Sequence, residues 1–211
     1  MMAIKRSLLA FSIALAAAVT GASLWTPRVA QAYPEPSILP VSWQLDVKTT
    51  PPARMYLTDA QGQQKAYWYI RYTVTNNTGK DILFTPVFEL ITDTGQSVTG
   101  NKDVPDALFA KIKDLYHAKY LTDPLMIFGK LLQGEDNAKD GVAMFANVDP
   151  NARVYHIFIS GLAGETADVT DPMTKKTVTL HKTLELTYQI PGEAIDMNPH
   201  PQLVSKRWVM K

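Results

Sequence analysis

The sequence contains no cysteine. Disulfide staples, thiolate nucleophiles, Cys-ligated zinc and iron–sulfur clusters are excluded together. It also lacks a charge excess: 21 basic residues stand against 20 acidic ones, a formal charge of +1. No surplus exists to neutralise a row of phosphates, so no nucleic-acid partner is predicted. Histidine is scarce as well. His117, His156, His181 and His200 are too far apart for a His-Glu-x-x-His helix. Ser160-Gly161-Leu162 is not a Gly-x-Ser-x-Gly elbow, and neither phosphate-cradling glycine pattern occurs. What is present, 46% hydrophobic and 19% charged residues in 211, is the composition of an ordinary globular protein.

The N-terminus reads as an export signal. Lys5 and Arg6 precede an uncharged run from Leu8 to Val19, and Ala30-Gln31-Ala32 offers small residues at both positions a signal peptidase reads. Cleavage between Ala32 and Tyr33 is predicted, with Ala22 as a second possible site. The alternative is an uncleaved membrane anchor, because Ser7–Trp25 approaches a bilayer span. Pro27, Arg28 and the alanine-rich composition favour cleavage. A lipoprotein is excluded, since no cysteine follows the run. Processing removes three basic residues and no acid, leaving a mildly acidic chain. No later apolar run is long enough to span a membrane, so no stable insertion is predicted after cleavage. The expected location is periplasmic or extracellular.

Residues 33–40 are proline-rich and read as an extended arm, and 41–211 as a single domain. From Val41 the apolar period is two: Val41, Trp43, Leu45 and Val47 alternate with polar residues. Arg54–Leu57 is read as pairing across a turn at Asp59–Gln63. In Tyr67–Thr75, Trp68, Ile70, Tyr72 and Val74 share a face opposite Tyr69, Arg71 and Thr73. Asn76-Asn77-Thr78-Gly79 is turn chemistry, and formally a glycosylation sequon. Ile82–Thr92 follows, with Pro86 marking an edge or a bulge, then a tight turn at Asp93-Thr94-Gly95 into Gln96–Thr99.

Residues 104–120 change period. Leu108, Phe109, Ile112, Leu115, Tyr116 and Tyr120 fall on one helical arc, with Asp103 and Pro105 as start signals and Lys119 near the last carbonyls. Strands resume at Met126–Leu132, Val142–Asn147, Val154–Ser160 and Val178–Ile190, stopped by Pro191-Gly192, with a last strand at Val204–Met210. In Val178–Ile190, Lys182 alone breaks the alternation and is read as snorkelling to an edge. The prediction is a mainly β protein: an antiparallel immunoglobulin-like β-sandwich with one inserted helix at about 104–120.

Two stretches carry a resemblance. Tyr67-Trp68-Tyr69-Ile70-Arg71-Tyr72-Thr73-Val74-Thr75-Asn76-Asn77-Thr78-Gly79 resembles the strand that opens many immunoglobulin-like modules of exported bacterial proteins. Gly134-Glu135 followed by Gly141-Val142-Ala143-Met144-Phe145 is similar to the Gly-Glu…Gly-x-x-x-Phe hairpin of those modules. Most of residues 40–211 looks like an uncharacterised family of exported bacterial proteins ending in a tail such as Arg207–Lys211. The resemblance implies a fold and export, and no activity.

Candidate sites are few. Glu135, Asp136, Asn137 and Asp140 form an acidic loop whose oxygens suit Ca²⁺, with Asp136 and Asp140 as candidate metal ligands. Their spacing is not that of an EF-hand, so a solvated hairpin loop is the expectation and no cofactor is predicted. His156 and His181 are placed on the polar sides of their strands, where they could face each other. Tyr67 and Tyr69 lie on the face opposite Trp68, open for carbohydrate or peptide unless the helix covers them; the helix is expected to. The leading functional expectation is a noncatalytic exported module that binds a protein, glycan or envelope component. The alternative is a small periplasmic hydrolase or metal-dependent enzyme drawing on Asp136, Asp140, His156 and His181.

Overall fold

Prolines and turn residues set where the strands stop, and β-branched and aromatic residues fill what lies between them. The computed structural model describes residues 33–191 and 200–211. The expected export signal, including Ala32, and Gly192 of the expected strand stop lie outside them. Pro34–Lys211 form one compact unit.

The first antiparallel sheet is built on a long strand. β1 (Asp46–Thr49) and β2 (Ala53–Thr58) pair in turn with one edge of β3 (Gln64–Thr75). The β2–β3 turn closes as expected at Asp59–Gln63, where Asp59 Oδ1 accepts from the Gln61 and Gln63 amides at 3.0 and 2.9 Å. The ribbon strand β4 (Ile82–Phe84) and the strand β5 (Val87–Thr92) come next, then β6 (Ser97–Thr99) and the helix α1 (Asp106–Leu115). Among the described residues β7 (Gly129–Leu131) pairs only with β4, and β8 (Lys139–Ala146) takes the other edge of β3.

β9 (Val154–Ser160) and β10 (Thr166–Thr170) share one edge of β11 (Thr177–Gln189), while β12 (Gln202–Met210) takes its other edge. β5 and β6 extend this second sheet beyond β9. All these pairings are antiparallel. The inner faces of the two sheets meet in one core containing Trp68, Ile70, Tyr72, Phe88, Ile157 and Leu184. The fold is therefore mainly β, a sandwich with a single α-helix among the described residues.

Several boundaries differ from those read in the sequence, each for a physical reason. The helix covers Asp106–Leu115 and not 104–120: Tyr116 caps it, and His117 at φ 46° cannot continue it. Leu115 and Tyr120 stay exposed, so their place on the arc is coincidental. Lys119 lies beyond the helix, its ammonium over the Tyr120 ring. Val41–Val47 is not one strand, because residues 43–45 pair with the β9–β10 connection: Leu45 donates to the Leu162 carbonyl at 2.8 Å and Gly164 to that of Trp43 at 3.0 Å. Ile82–Thr92 divides at Thr85–Pro86 into β4 and β5, which belong to different sheets. Of Met126–Leu132 only Gly129–Leu131 is strand, and β10 has no counterpart in the sequence reading.

One glycine is fixed by packing. Gly141 lies opposite Tyr72 across β3 and β8, and a Cβ there would stand 2.4 Å from the Tyr72 ring. The Gly141–Phe145 motif thus records close approach of a strand to a buried tyrosine.

Candidate functional site

The acidic loop does not gather its oxygens. Glu135–Asn137 form a single 3₁₀ turn, and Asn137 Nδ2 donates back to the Gln133 carbonyl at 2.6 Å. Asp136 is exposed on that turn. Asp140 is one strand residue into β8, where its Oδ1 accepts from Thr73 Oγ1 at 2.6 Å. Among the described residues no three His, Asp or Glu side chains converge as a metal would require.

His156 and His181 do not face each other. His156 is opposite Thr187 of β11, whereas His181 is opposite Thr166 of β10, six residues away along β11. That is roughly 20 Å of strand. His156 instead joins a polar chain on the outer face of the second sheet. Its Nδ1 lies 2.9 Å from Glu185 Oε1 and 3.2 Å from Thr187 Oγ1, and Arg207 Nε donates to Glu185 Oε2 at 2.7 Å. Glu185 is buried although it sits on the polar side of β11. Burial pushes its carboxyl up, but the bonds from Arg207 and His156 outweigh this and hold it below the usual glutamate range. The four residues considered for an enzyme lie on four separate elements.

Tyr67 and Tyr69 are covered by the helix, as its apolar arc requires. They are buried with Leu108, Ile112, Val142 and Met144 in a second cluster on the outer face of the first sheet. Tyr69 and Tyr116 hydroxyls lie 2.9 Å apart, and the Arg71 guanidinium stacks 3.6 Å over the Tyr116 ring. These tyrosines are no open platform for a sugar.

Lys182 does not snorkel. It is 2% exposed on the core side of β11, with Nζ 2.9 Å from Glu165 Oε2 and 5.6 Å from the centre of the Trp208 ring. The pair binds one residue of the arm by both backbone groups: Ser37 N–H donates to Glu165 Oε1 at 2.7 Å, and Lys182 Nζ donates to the Ser37 carbonyl at 3.1 Å. The broken alternation at Lys182 was the sequence signal. Nothing local marked Glu165 as its partner.

The β4–β7 ribbon is where apolar side chains meet solvent. Ile82, Phe84 and Leu131 point inward and are buried. The outward positions hold Leu83, 71% exposed, opposite Lys130, with Phe128 and Leu132 two residues to either side of Lys130. Leu125 and Met126, 80% and 73% exposed, lead into this face. Asp81 pairs with Lys130 at 3.4 Å. Two three-residue strands are marginal alone. Here they are pinned by Asn76, fully buried at the end of β3, whose Nδ2 donates to the Leu131 and Lys80 carbonyls, both at 2.8 Å. That burial also removes Asn76 as a glycan acceptor. Comparison with family models, curated proteins and solved structures finds no match for this chain.

Proposed function

We propose that this chain is an exported, noncatalytic sandwich of the immunoglobulin-like kind that binds a protein of the cell envelope through the outer face of the β4–β7 ribbon. The observation that carries the reading is the set of exposed apolar side chains on the ribbon and the segment leading into it: Leu83, Leu125, Met126, Phe128 and Leu132. Large apolar side chains exposed together on one element are a usual mark of a protein contact. Its chemistry favours protein over glycan: sugar recognition uses flat aromatic faces, and the paired tyrosines of β3 lie under the helix. Export is supported by the Lys5–Ala32 signal pattern.

The test is a comparison of the wild-type chain with a Leu83→Asp, Phe128→Ser double variant. Both side chains point to solvent, so the variant should keep its melting temperature. It should lose an envelope protein that co-purifies with the wild type. Equal recovery with both chains would refute the ribbon as the contact. Intact mass of the exported protein should correspond to a start at Tyr33; a full-length, membrane-bound product would refute cleavage.

A further inference from the structure

Beyond the ribbon, we propose that the open seam between β1 and β12 accepts one extended segment of a partner polypeptide, which adds as a strand to the β12 edge. The ladder shows which backbone groups are available. Lys211 and His181 exchange both backbone hydrogen bonds, at 2.8 and 3.0 Å. Antiparallel ladders alternate, so Val209, Arg207 and Ser205 also bond to β11. Lys206, Trp208 and Met210 then turn their N–H and C=O groups to the other edge, which pairs with no strand among the described residues.

β1 presents the same pattern from the facing side. Thr50 donates to the Arg71 carbonyl at 3.0 Å, which sets Lys48 and Asp46 toward β3 and Val47 and Thr49 outward. The outward N–H of Leu45 is taken by Leu162, so the edge opens only from Val47 onward. A groove of about 330 Å³ lies beside the two edges, lined by Asp46, Val47 and Lys48 of β1, by Lys206 and Trp208 of β12, and by Thr75, Asn77 and Glu135 beyond β1. Lys206 bridges it, its Nζ 3.4 Å from the Val47 carbonyl. The ammonium occupies the place where the N–H of an inserted strand would donate.

These groups recognise a main chain, the chemistry of strand addition. The chain's own arm is a poor occupant, because Pro34, Pro36 and Pro40 carry no N–H and Ser37 is already held by Lys182 and Glu165. A second copy docking β12 on β12 about Lys206 would set like charges opposite each other, which is unfavourable. The fitting segment sets an apolar residue toward Trp208 and, two residues along on the same face, an acidic residue that takes over the Lys206 ammonium.

The probe is a capped, strand-forming peptide of threonines in which one face carries a valine and, two residues on, a glutamate, titrated into the full exported chain and followed by backbone amide shifts and hydrogen exchange. Protection of the Lys206, Trp208 and Met210 amides is expected. The same peptide with its alternate amides N-methylated should bind about tenfold more weakly or worse, since only main-chain donors are lost. Lys206→Pro removes an outward N–H that β11 does not use and should weaken binding similarly, with Lys206→Ala separating the side chain's part from the backbone's. Equal binding by the N-methylated peptide overturns the proposal, as does peptide protection confined to the Leu83–Phe128 face. Protection of the β12 edge that rises with protein concentration alone would assign the seam to a second copy and also overturn it. None of these results bears on the ribbon contact, which uses other residues.

Discussion

Lys182 and Glu165 form an ion pair at 2.9 Å at the end of the sandwich core, and the pair closes around a single arm residue, Ser37. A buried charge is tolerated only with its opposite and with its remaining donors and acceptors used. Here the opposite charge is supplied by the β9–β10 connection, and the remaining bonds by a segment that otherwise has no regular structure. The arm is thus tied to the domain by the Ser37 contacts, just ahead of residues 43–45, which pair with the β9–β10 connection.

Removing one partner should cost more than removing both. Lys182→Met leaves an unpaired carboxylate and should destabilise by about 3–5 kcal/mol. Replacing both, Lys182→Met with Glu165→Leu, should recover most of that, because apolar groups of similar volume need no partner. Denaturant melts of the three chains measure this. A double variant no more stable than the single one would show that the arm contact, and not charge burial, dominates.

Acid should loosen the arm. Burial raises the Glu165 carboxyl, but Lys182 and the Ser37 amide more than compensate, so its pKa lies below the ordinary glutamate value of about 4.5. A depressed folded-state pKa gives stability that is present above the unfolded value and lost as pH falls through the folded one. Stability should therefore decline below about pH 4.5, and Glu165→Gln should flatten part of that decline. Amide exchange at Ser37, followed from pH 6 to pH 3 with each rate corrected for its intrinsic pH dependence, should rise in the wild type only.

The sheet pattern was legible because its causes are local. Alternation in Trp68–Val74 and Leu184–Tyr188 reflects one face buried by the opposite sheet, and the structure places those residues in one core. The helix reads longer in the sequence than it is because Tyr116 and Tyr120 continue the spacing of three and four, whereas the backbone at His117 has already turned. Lys182 was misread for a different reason. A lysine on an apolar face has two resolutions, reaching solvent or meeting a buried acid, and the acid is 17 residues away in sequence. The outward ribbon face was likewise hidden, since Ile82–Thr92 reads as one strand until Pro86 sends its halves to different sheets.

Asn76 should prove more than a turn residue. Its amide bonds four ways, twice to backbone carbonyls and twice as acceptor from the Thr78 amide and hydroxyl at 3.1 and 2.8 Å. Asn76→Ala leaves buried groups unsatisfied and should cost about 2–3 kcal/mol. Local loosening should appear first in amide exchange across Ile82–Phe84 and Gly129–Leu131. Uniform destabilisation without it would mean that Asn76 does not hold the ribbon.

The core and the acidic loop should respond oppositely. Trp68 packs on Tyr155 with ring centres 5.0 Å apart, and Trp68→Ala should cost about 3–5 kcal/mol. Asp136→Ala, on an exposed turn, should cost well under about 1 kcal/mol, with or without Ca²⁺. A large Asp136 effect seen only with Ca²⁺ would make the loop a metal site.

The most direct measurement is site-specific photo-crosslinking in intact cells, with a photoreactive residue at position 128 on the ribbon and a control at position 179, exposed on β11. The ribbon contact requires one discrete protein adduct at position 128, its loss in the Leu83→Asp background, and no such adduct at position 179. No adduct at position 128, or the same adduct at both positions, would contradict it.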